Sequence, residues 1–162
     1  MEITRMFIHG LDSSSRGTKG SFFREKYPGM AMEDFEGSLR DKMDKLEGLL
    51  AGKAQLILVG SSYGGLMASL YALAHPERIS RLILLAPALT LPEFKPAPDH
   101  ELRQPAVIYH GLHDELIPGD RLEEIARRLF RQLDFHLVDD DHSLHQTFYR
   151  LPWDNLLEYS GG

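Results

Sequence analysis

Short apolar runs alternate with amphipathic segments along the whole chain. Several runs are apolar at successive positions, which is typical of strands that a parallel sheet buries on both faces. Proline and glycine residues separate many of the runs from their neighbours. We therefore predict six strands, the second of them at a sheet edge, over residues 3–8, 30–35, 54–59, 81–86, 106–109 and 135–138.

Helical patterns lie between these strands. The clearest helix runs from Ser38 to Leu50, because Ser38 is a good N-cap and Asp41 at the third helical position can accept from free N–H groups. A buried helix at 66–74 ends at His75-Pro76. The remaining predicted helices are 18–26, a helix capped by Asp120 whose inner face runs from Leu122 to Phe130, and a final helix from His142 or Ser143 to Arg150.

Residues 87–104 break the alternation, because four prolines in this stretch exclude a regular helix. We predict an irregular flap there. Elsewhere the repeated strand–helix units indicate an α/β fold of three layers, with a mostly parallel sheet of about six strands and helices on both faces. We expect residues 1–162 to form a single domain.

Composition narrows the possible functions. The 162 residues are 43% hydrophobic and 26% charged, as in a globular protein. A net charge of −6 disfavours nucleic acid and anionic membranes as partners. The chain has no cysteine, which excludes disulfides, thiolate metal sites and cysteine catalysis. Neither a signal-peptide pattern nor a membrane-length apolar stretch is present, so we expect a cytoplasmic protein.

Ser62 carries the strongest chemical signal. It stands in Gly60-Ser61-Ser62-Tyr63-Gly64, a G-x-S-x-G pattern between a predicted strand and a predicted helix. This pattern is typical of a sharp turn that exposes a nucleophilic serine, and flanking glycines permit a tight backbone. A serine hydroxyl also needs a base, an acid that orients the base, and donors for the developing oxyanion.

Those groups should follow the carboxyl ends of other strands, where active sites of open parallel sheets lie. Asp114 follows the strand at 106–109, and His142 follows the strand at 135–138. We therefore predict Ser62 as nucleophile, His142 as base and Asp114 as the orienting acid. The backbone N–H groups of Leu11 and Tyr63 are the predicted oxyanion donors.

Other residues compete for these roles. His113 and His145 could also reach the site, and Glu115 is a rival acid. The run Asp139–Asp141 is interpreted as a solvated loop, whereas His9 and His110 are expected to support the site. Substrate-binding residues stay open, since six apolar residues could line an acyl pocket or simply pack in the core: Leu89, Leu91, Phe94, Leu116, Ile117 and Leu144.

On these motifs the chain resembles the α/β-hydrolase superfamily over nearly its whole length. The resemblance rests on His9-Gly10, the Ser62 turn, Gly111-x-x-Asp114-x-x-x-Pro118 and His142 in an acid-rich loop. The opening His9-Gly10-Leu11-Asp12-Ser13-Ser14-Ser15, followed by Lys19, is similar to small bacterial YqiA-like esterases. The family usually has eight strands, whereas about six are visible here. We therefore expect a minimal core that departs from the family by lacking the two N-terminal strands, and also a cap domain, because residues 87–104 are too short to form one.

The expected activity is that of a serine hydrolase. It would cleave small carboxylic esters through an acyl-enzyme, without a metal or cofactor. Two alternatives remain open. The same residues could act on thioesters, lactones or amides, or the fold could serve as a protein-binding module with little turnover.

Overall fold

Six parallel strands form one sheet in the computed structural model, which describes residues 2–159. All neighbouring pairs are parallel, in the order β2-β1-β3-β4-β5-β6. This confirms the predicted α/β class. The strands are β1 (Ile3–Ile8), β2 (Ala31–Met32), β3 (Gln55–Ser61), β4 (Ile79–Leu85), β5 (Leu102–Gly111) and β6 (Phe130–Val138).

The central strands are apolar on both faces because each face supports a separate core. On β3, Leu56 and Leu58 belong to one hydrophobic cluster, whereas Ile57 and Val59 belong to the other. β4 repeats this alternation. Consecutive side chains of a strand point to opposite faces, so two cores require the unbroken apolar runs seen in the sequence.

Helices cover both faces of the sheet and complete three layers. The first core contains residues of α2, α3 and α4, and the second contains residues of α1 and α5. Within residues 2–159, no helix has the length and hydropathy that crossing a membrane would require. The helices are α1 (Thr18–Lys26), α2 (Leu39–Leu50), α3 (Tyr63–Ala74), α4 (Gly119–Leu129) and α5 (Trp153–Leu156).

The start of α2 agrees with its prediction. The Ser38 hydroxyl accepts from the N–H of Asp41 at 3.1 Å, and the Asp41 carboxylate accepts from the N–H of Ser38 at 3.1 Å. This reciprocal pair satisfies two N–H groups that have no partner inside the helix.

The bounds of β1 agree with the prediction, whereas those of the other five strands differ. β3 and β4 differ by one or two residues at each end, and β2, β5 and β6 differ by up to three, four and five residues. β2 covers only two residues of the predicted 30–35, because the N–H of Phe35 donates to His9 Nε2 instead of to a neighbouring strand. β5 begins at Leu102, so residues 102–104 belong to the sheet and not to the irregular flap. Leu102 is buried and pairs with Phe130, and the register shifts before Pro105, which cannot donate to the ladder.

The prediction for α4 was wrong at both ends. Pro118 is the N-cap residue, and Asp120 lies inside the first turn, where its carboxylate accepts from the N–H of Arg121. At the other end Phe130 is the first residue of β6 and not part of the helix. Helix α4 and strand β6 therefore meet without a connecting loop. The sequence did not indicate this boundary, because apolar residues continue across it.

The predicted helix from residue 142 or 143 to Arg150 was also wrong. Turns occupy most of this stretch, followed by a 3-10 helix at Phe148–Arg150, and α5 begins after Pro152. Leu144 has a φ of 52°, which an α-helix cannot contain. The N–H groups of Gln146 and Thr147 donate to the Asp140 carboxylate, so they are not available to helical carbonyl groups.

The capping pair of α2 can be tested by mutation. Ser38→Ala should lower the free energy of unfolding by about 1 kcal/mol, because one N–H at the helix start loses its acceptor. Gly48→Ala in the same helix is the matched control. An added Cβ at Gly48 meets no atom within 4 Å, so this variant should be up to about 1 kcal/mol more stable. Urea denaturation measures both, and equal stability of Ser38→Ala and wild type would contradict the capping role.

Candidate active site

Ser62 occupies a strained turn between β3 and α3. Its φ of 53° and ψ of −114° are unusual for a residue with a side chain. Four backbone hydrogen bonds hold this conformation. The Ser62 N–H donates to Leu85 O at 2.9 Å. The Ser62 carbonyl accepts from Gly65 and Ala88, each at 2.9 Å, and from Leu66 at 3.3 Å. The turn is thus tied to both its own helix and the end of β4.

The flanking glycines have a different role from the one their flexibility suggested. Neither Gly60 nor Gly64 has a positive φ. Instead, a Cβ at Gly60 would collide with the backbone of Gly64, and a Cβ at Gly64 would collide with the carbonyl of Ile8. The glycines therefore provide space for close backbone contacts, while Ser62 itself adopts the strained conformation.

A chain of hydrogen bonds joins the three predicted side chains. Ser62 Oγ lies 3.1 Å from His142 Nε2, and His142 Nδ1 lies 2.6 Å from Asp114 Oδ2. A carboxylate only accepts, so the Nδ1–H of His142 donates to it and Nε2 is free to accept from the Ser62 hydroxyl. The side chain of Asp114 is 1% exposed and that of His142 is 23% exposed. The carboxylate is therefore shielded, while the imidazole reaches solvent.

The loop after β5 orients Asp114. Its Oδ1 accepts from the N–H groups of Leu116 and Ile117, each at 2.8 Å, which leaves Oδ2 directed at His142. His110 is fully buried below this carboxylate. Its Nε2 donates to Ile117 O at 2.8 Å and lies 3.5 Å from Asp114 Oδ2. His110 therefore supports the turn that carries Asp114.

Two backbone N–H groups border the cavity beside Ser62. Within residues 2–159, neither Leu11 N–H nor Tyr63 N–H donates to another protein atom. His9 orients the first of them. Its Nε2 accepts from Phe35, so the protonated Nδ1 donates to Gly10 O at 2.7 Å. The C=O and N–H of a trans peptide point in opposite directions, so the N–H of Leu11 is directed away from His9.

The acidic loop that carries His142 is more ordered than predicted. Asp140 is buried, which corrects its interpretation as part of a solvated run. Burial alone would raise the pKa of the Asp140 carboxyl. Hydrogen bonds from the N–H groups of Thr147, Asp141 and Gln146 outweigh that effect and lower the pKa to about 2. One carboxylate therefore organises the backbone on both sides of His142.

The competing residues lie in other positions. His113 pairs with Asp139 at 2.7 Å, and both side chains are largely exposed. Glu115 is exposed as well. His145 lines the same cavity as Ser62, but the imidazole at hydrogen-bond distance from Ser62 Oγ is that of His142. The geometry thus brings together Ser62, Asp114 and His142 rather than any of the rivals.

A cavity of about 670 Å³ opens at Ser62. Of the six apolar candidates, Leu91, Leu116, Ile117 and Leu144 line it, whereas Leu89 and Phe94 are buried in the first core. Leu11 and Leu116 are 57% and 70% exposed and form part of its rim. Among the described residues, no group of three or more histidine, aspartate and glutamate side chains is arranged to hold a metal ion.

The flap, now limited to residues 86–101, is fastened to the Ser62 turn. The Tyr63 hydroxyl donates to Glu93 at 3.1 Å, and Lys42 lies 4.8 Å from the centre of the Tyr63 ring. Burial, together with the carboxylate of Glu93, raises the pKa of Tyr63 to about 12. The hydroxyl therefore remains a donor, and the flap carries Ala88 and Leu91 into the cavity wall.

Comparison with known sequences gives two matches of different extent. The family model described as alpha/beta hydrolase fold matches residues 10–104, which is more than half of the chain. The chain is also 38% identical over 68 residues to cis-3-alkyl-4-alkyloxetan-2-one decarboxylase from Shewanella oneidensis. That alignment covers 40% of this chain and 21% of the relative, so the chain spans about a fifth of the length of the curated relative it matches.

Solved structures resemble the chain along almost its whole length. Alpha/beta hydrolase domain-containing protein 10 from mouse has a TM-score of 0.78 and 21% identity, over 98% of this chain and 90% of that one. An alpha/beta superfamily protein from Xanthomonas campestris has a TM-score of 0.75 and 26% identity, over 96% and 97%. Est1E from Butyrivibrio proteoclasticus, with ferulic acid bound, has a TM-score of 0.75 and 17% identity, over 98% and 88%.

The close contact at Gly64 makes a direct prediction. Gly64→Ala should lower the free energy of unfolding by about 1–3 kcal/mol, because its methyl group would push against the Ile8 carbonyl. Gly48→Ala, another glycine-to-alanine change within a helix, is the control and should not destabilise. Urea denaturation compares the two, and a Gly64→Ala midpoint equal to that of wild type would show that the contact is not restrictive.

Asp140 predicts a pH-dependent contribution to stability. Its pKa is lowered in the folded protein, so its stabilising effect is complete above the unfolded pKa near 4 and is lost as pH falls through about 2. At pH 7, Asp140→Asn should cost about 1–3 kcal/mol, because a neutral amide replaces a charged acceptor. The difference from wild type should shrink below pH 4.

Exposed Asp139 is the control for this experiment. Asp139→Asn should change the free energy of unfolding by less than about 0.5 kcal/mol. Thermal unfolding followed by circular dichroism between pH 3 and pH 7 would measure all three proteins. A penalty for Asp140→Asn that stays constant over this range would contradict the role of the charged carboxylate.

Proposed function

The chain belongs to the alpha/beta hydrolase fold family, and from this membership we propose that it is a serine hydrolase that cleaves small carboxylic esters. One observation carries the proposal. Ser62, His142 and Asp114 follow three different strands, and an unbroken chain of hydrogen bonds connects them. Because active sites of parallel sheets lie at the carboxyl ends of strands, this is where such a group is expected.

In the proposed first step, Ser62 Oγ attacks the acyl carbon while its proton moves to His142 Nε2. Asp114 stabilises the resulting imidazolium and keeps the ring in the orientation that faces Ser62. Its two hydrogen bonds from Leu116 and Ile117 support that role, since they restrict rotation of the carboxylate. The strained turn supports it too, because it holds Ser62 Oγ at hydrogen-bond distance from the base.

The negative charge that develops on the acyl oxygen would be bound by the N–H groups of Leu11 and Tyr63. Neither N–H donates to a protein acceptor in the described part of the chain, which supports this assignment. Each such donor typically contributes about 3–4 kcal/mol to transition-state stabilisation. His9 acts as a positioning residue here, because it holds the carbonyl of the peptide that supplies the Leu11 N–H.

The second half of the reaction uses the same base. As the first tetrahedral intermediate collapses, the imidazolium of His142 gives its proton to the leaving oxygen and the bond from the acyl carbon to that oxygen breaks. The alcohol departs and acyl-Ser62 remains. His142 then removes a proton from water, and the hydroxide formed attacks the acyl carbon. This attack forms a second tetrahedral intermediate, and its collapse breaks the bond from the acyl carbon to Ser62 Oγ. His142 returns the proton to Oγ, and the carboxylic acid is released.

The cavity supports a small substrate with an apolar part. Its volume falls within the range of ordinary ligand sites. Leu91 of the flap and Leu116 and Ile117 of the Asp114 loop are among the apolar side chains that line it and could contact an acyl chain.

A cyclic ester is the second candidate substrate. The relative from Shewanella oneidensis is named for an oxetan-2-one, which is a four-membered cyclic ester. The same serine, base and oxyanion donors could open such a ring, since its carbonyl is an acyl group. Turnover of a simple oxetan-2-one and of open-chain esters of similar size would separate the two candidates.

Replacement of the nucleophile tests the proposed chemistry. Ser62→Ala should reduce hydrolysis of p-nitrophenyl acetate and butyrate on the order of 10⁶-fold and abolish covalent labelling by a fluorophosphonate probe. Ser80→Ala is the matched control. Ser80 lies at the amino end of β4, whereas the site lies at the carboxyl ends of the strands. This variant should therefore retain activity and labelling.

Two outcomes would argue against the proposal. If Ser62→Ala retained activity within tenfold of wild type, another residue would be the nucleophile. If the folded wild-type protein neither labelled nor turned over any ester, the chain would instead resemble a binding module on the same fold. Circular dichroism of each variant separates loss of chemistry from loss of folding.

A further inference from the structure

One wall of the cavity contains a cation that the proposed mechanism does not use. Lys19, in the first turn of α1, is the lysine among the described residues that line the cavity. Its Nζ donates to the carbonyl of Ser143 at 2.7 Å and lies 5.5 Å from the centre of the Phe148 ring. The ammonium is therefore held at a defined position next to the loop of His142.

Among the residues that the structure describes, the ammonium of Lys19 makes one hydrogen bond and so has donors left over. It carries three N–H groups, and the Ser143 carbonyl accepts from one of them. Within residues 2–159, no carboxylate oxygen comes within ion-pair distance of Nζ. Burial lowers the pKa of Lys19 more than the charges of Asp141 and Asp140 raise it, so the protein compensates this charge incompletely. An anionic ligand would complete its coordination.

The acidic side chains near Lys19 differ in how strongly they would repel a bound anion. Asp140 directs both oxygens at backbone N–H groups of its own loop, and Asp141 Oδ1 accepts from the N–H of His145. Asp12 is exposed and lines the cavity, so its charge is screened by solvent. The first turn of α1 contains no acidic residue, so the positive helix end adds to the potential of the ammonium.

The position of Lys19 is beside the alcohol part of the proposed ester substrate. In the proposed reaction His142 Nε2 protonates the leaving oxygen, so the alcohol part of the ester must lie beside His142. Lys19 contacts Ser143, the next residue along the chain. Leu91, Leu116 and Ile117 line the cavity from other loops and remain for the acyl part.

We propose that Lys19 recognises an anionic oxygen group, a carboxylate or a phosphate, on the alcohol part of the ester. This inference rests on the proposed ester hydrolysis and specifies its substrate class. Lys19 determines specificity and takes no part in the bond-breaking steps. Substrates would thus combine an apolar acyl group with an anionic leaving group.

Two matched esters test the inference. para-Acetoxybenzoate carries a carboxylate on its leaving group, and para-acetoxybenzamide has nearly the same shape without the charge. Lys19→Met, which removes the ammonium and keeps the unbranched stem, should lower kcat/KM for the benzoate ester roughly ten- to hundredfold, mainly through KM. It should change the benzamide ester by less than about threefold, a loss well below one charged hydrogen bond.

Two further variants act as controls. Lys19→Arg should retain most of the preference for the charged ester, because it keeps a cation on a long side chain. Lys53→Met changes the net charge equally at an exposed position at the opposite edge of the sheet, so it should leave both esters unaffected. para-Acetoxyphenyl phosphate, measured in parallel, distinguishes the two anions, because the preferred one should show the larger loss in Lys19→Met.

Each contrary result has a distinct meaning. An equal loss for both esters in Lys19→Met would overturn the inference and reduce Lys19 to a brace for the His142 loop. No loss for either ester would overturn it as well. If wild type hydrolysed neither ester and failed to label with a fluorophosphonate, the proposed function itself would fall. If wild type labels and hydrolyses the benzamide ester and Ser62→Ala does neither, the proposed function stands even where the inference about Lys19 fails.

Discussion

The contact between the start of α3 and the end of β1 sets the geometry of the whole site. Gly64 lies so close to the Ile8 carbonyl that no side chain fits between them. Ser62 and the N–H of Tyr63 are on one side of this contact, and Gly10 and the N–H of Leu11 are on the other. This single close approach of two backbone segments therefore determines how the serine and these two N–H groups are placed relative to one another.

The parts of the fold that could be predicted are those with local causes. β3, β4 and the Ser62 turn combine unbroken apolar runs with a glycine pattern, and α2 carries its own capping pair. The parts that failed depend on distant partners. Nothing between residues 142 and 150 reveals that Asp140 takes the N–H groups a helix would need, because a side chain that bonds to the backbone competes with regular structure.

The same distinction applies to the site. Ser62, Asp114 and His142 could be singled out because each follows a strand, and parallel strands end at a common edge. Leu89 and Phe94 could not be separated from the true lining residues, since core and cavity wall require the same apolar side chains. The sequence showed Lys19 only as part of a motif. Its contact with Ser143 could not be predicted, because the two residues are far apart in the chain.

The flap at residues 86–101 has an evolutionary consequence. The flap begins beside Ser62, where the N–H of Ala88 donates to the Ser62 carbonyl. It ends at β5, whose register shifts near its first residues. α4 and β6, in contrast, follow one another without a loop. Doubling a loop costs only about 0.6 kcal/mol of closure entropy. The flap is therefore where descendants of this chain could gain a larger cover and new selectivity, while the residues beneath it stay unchanged.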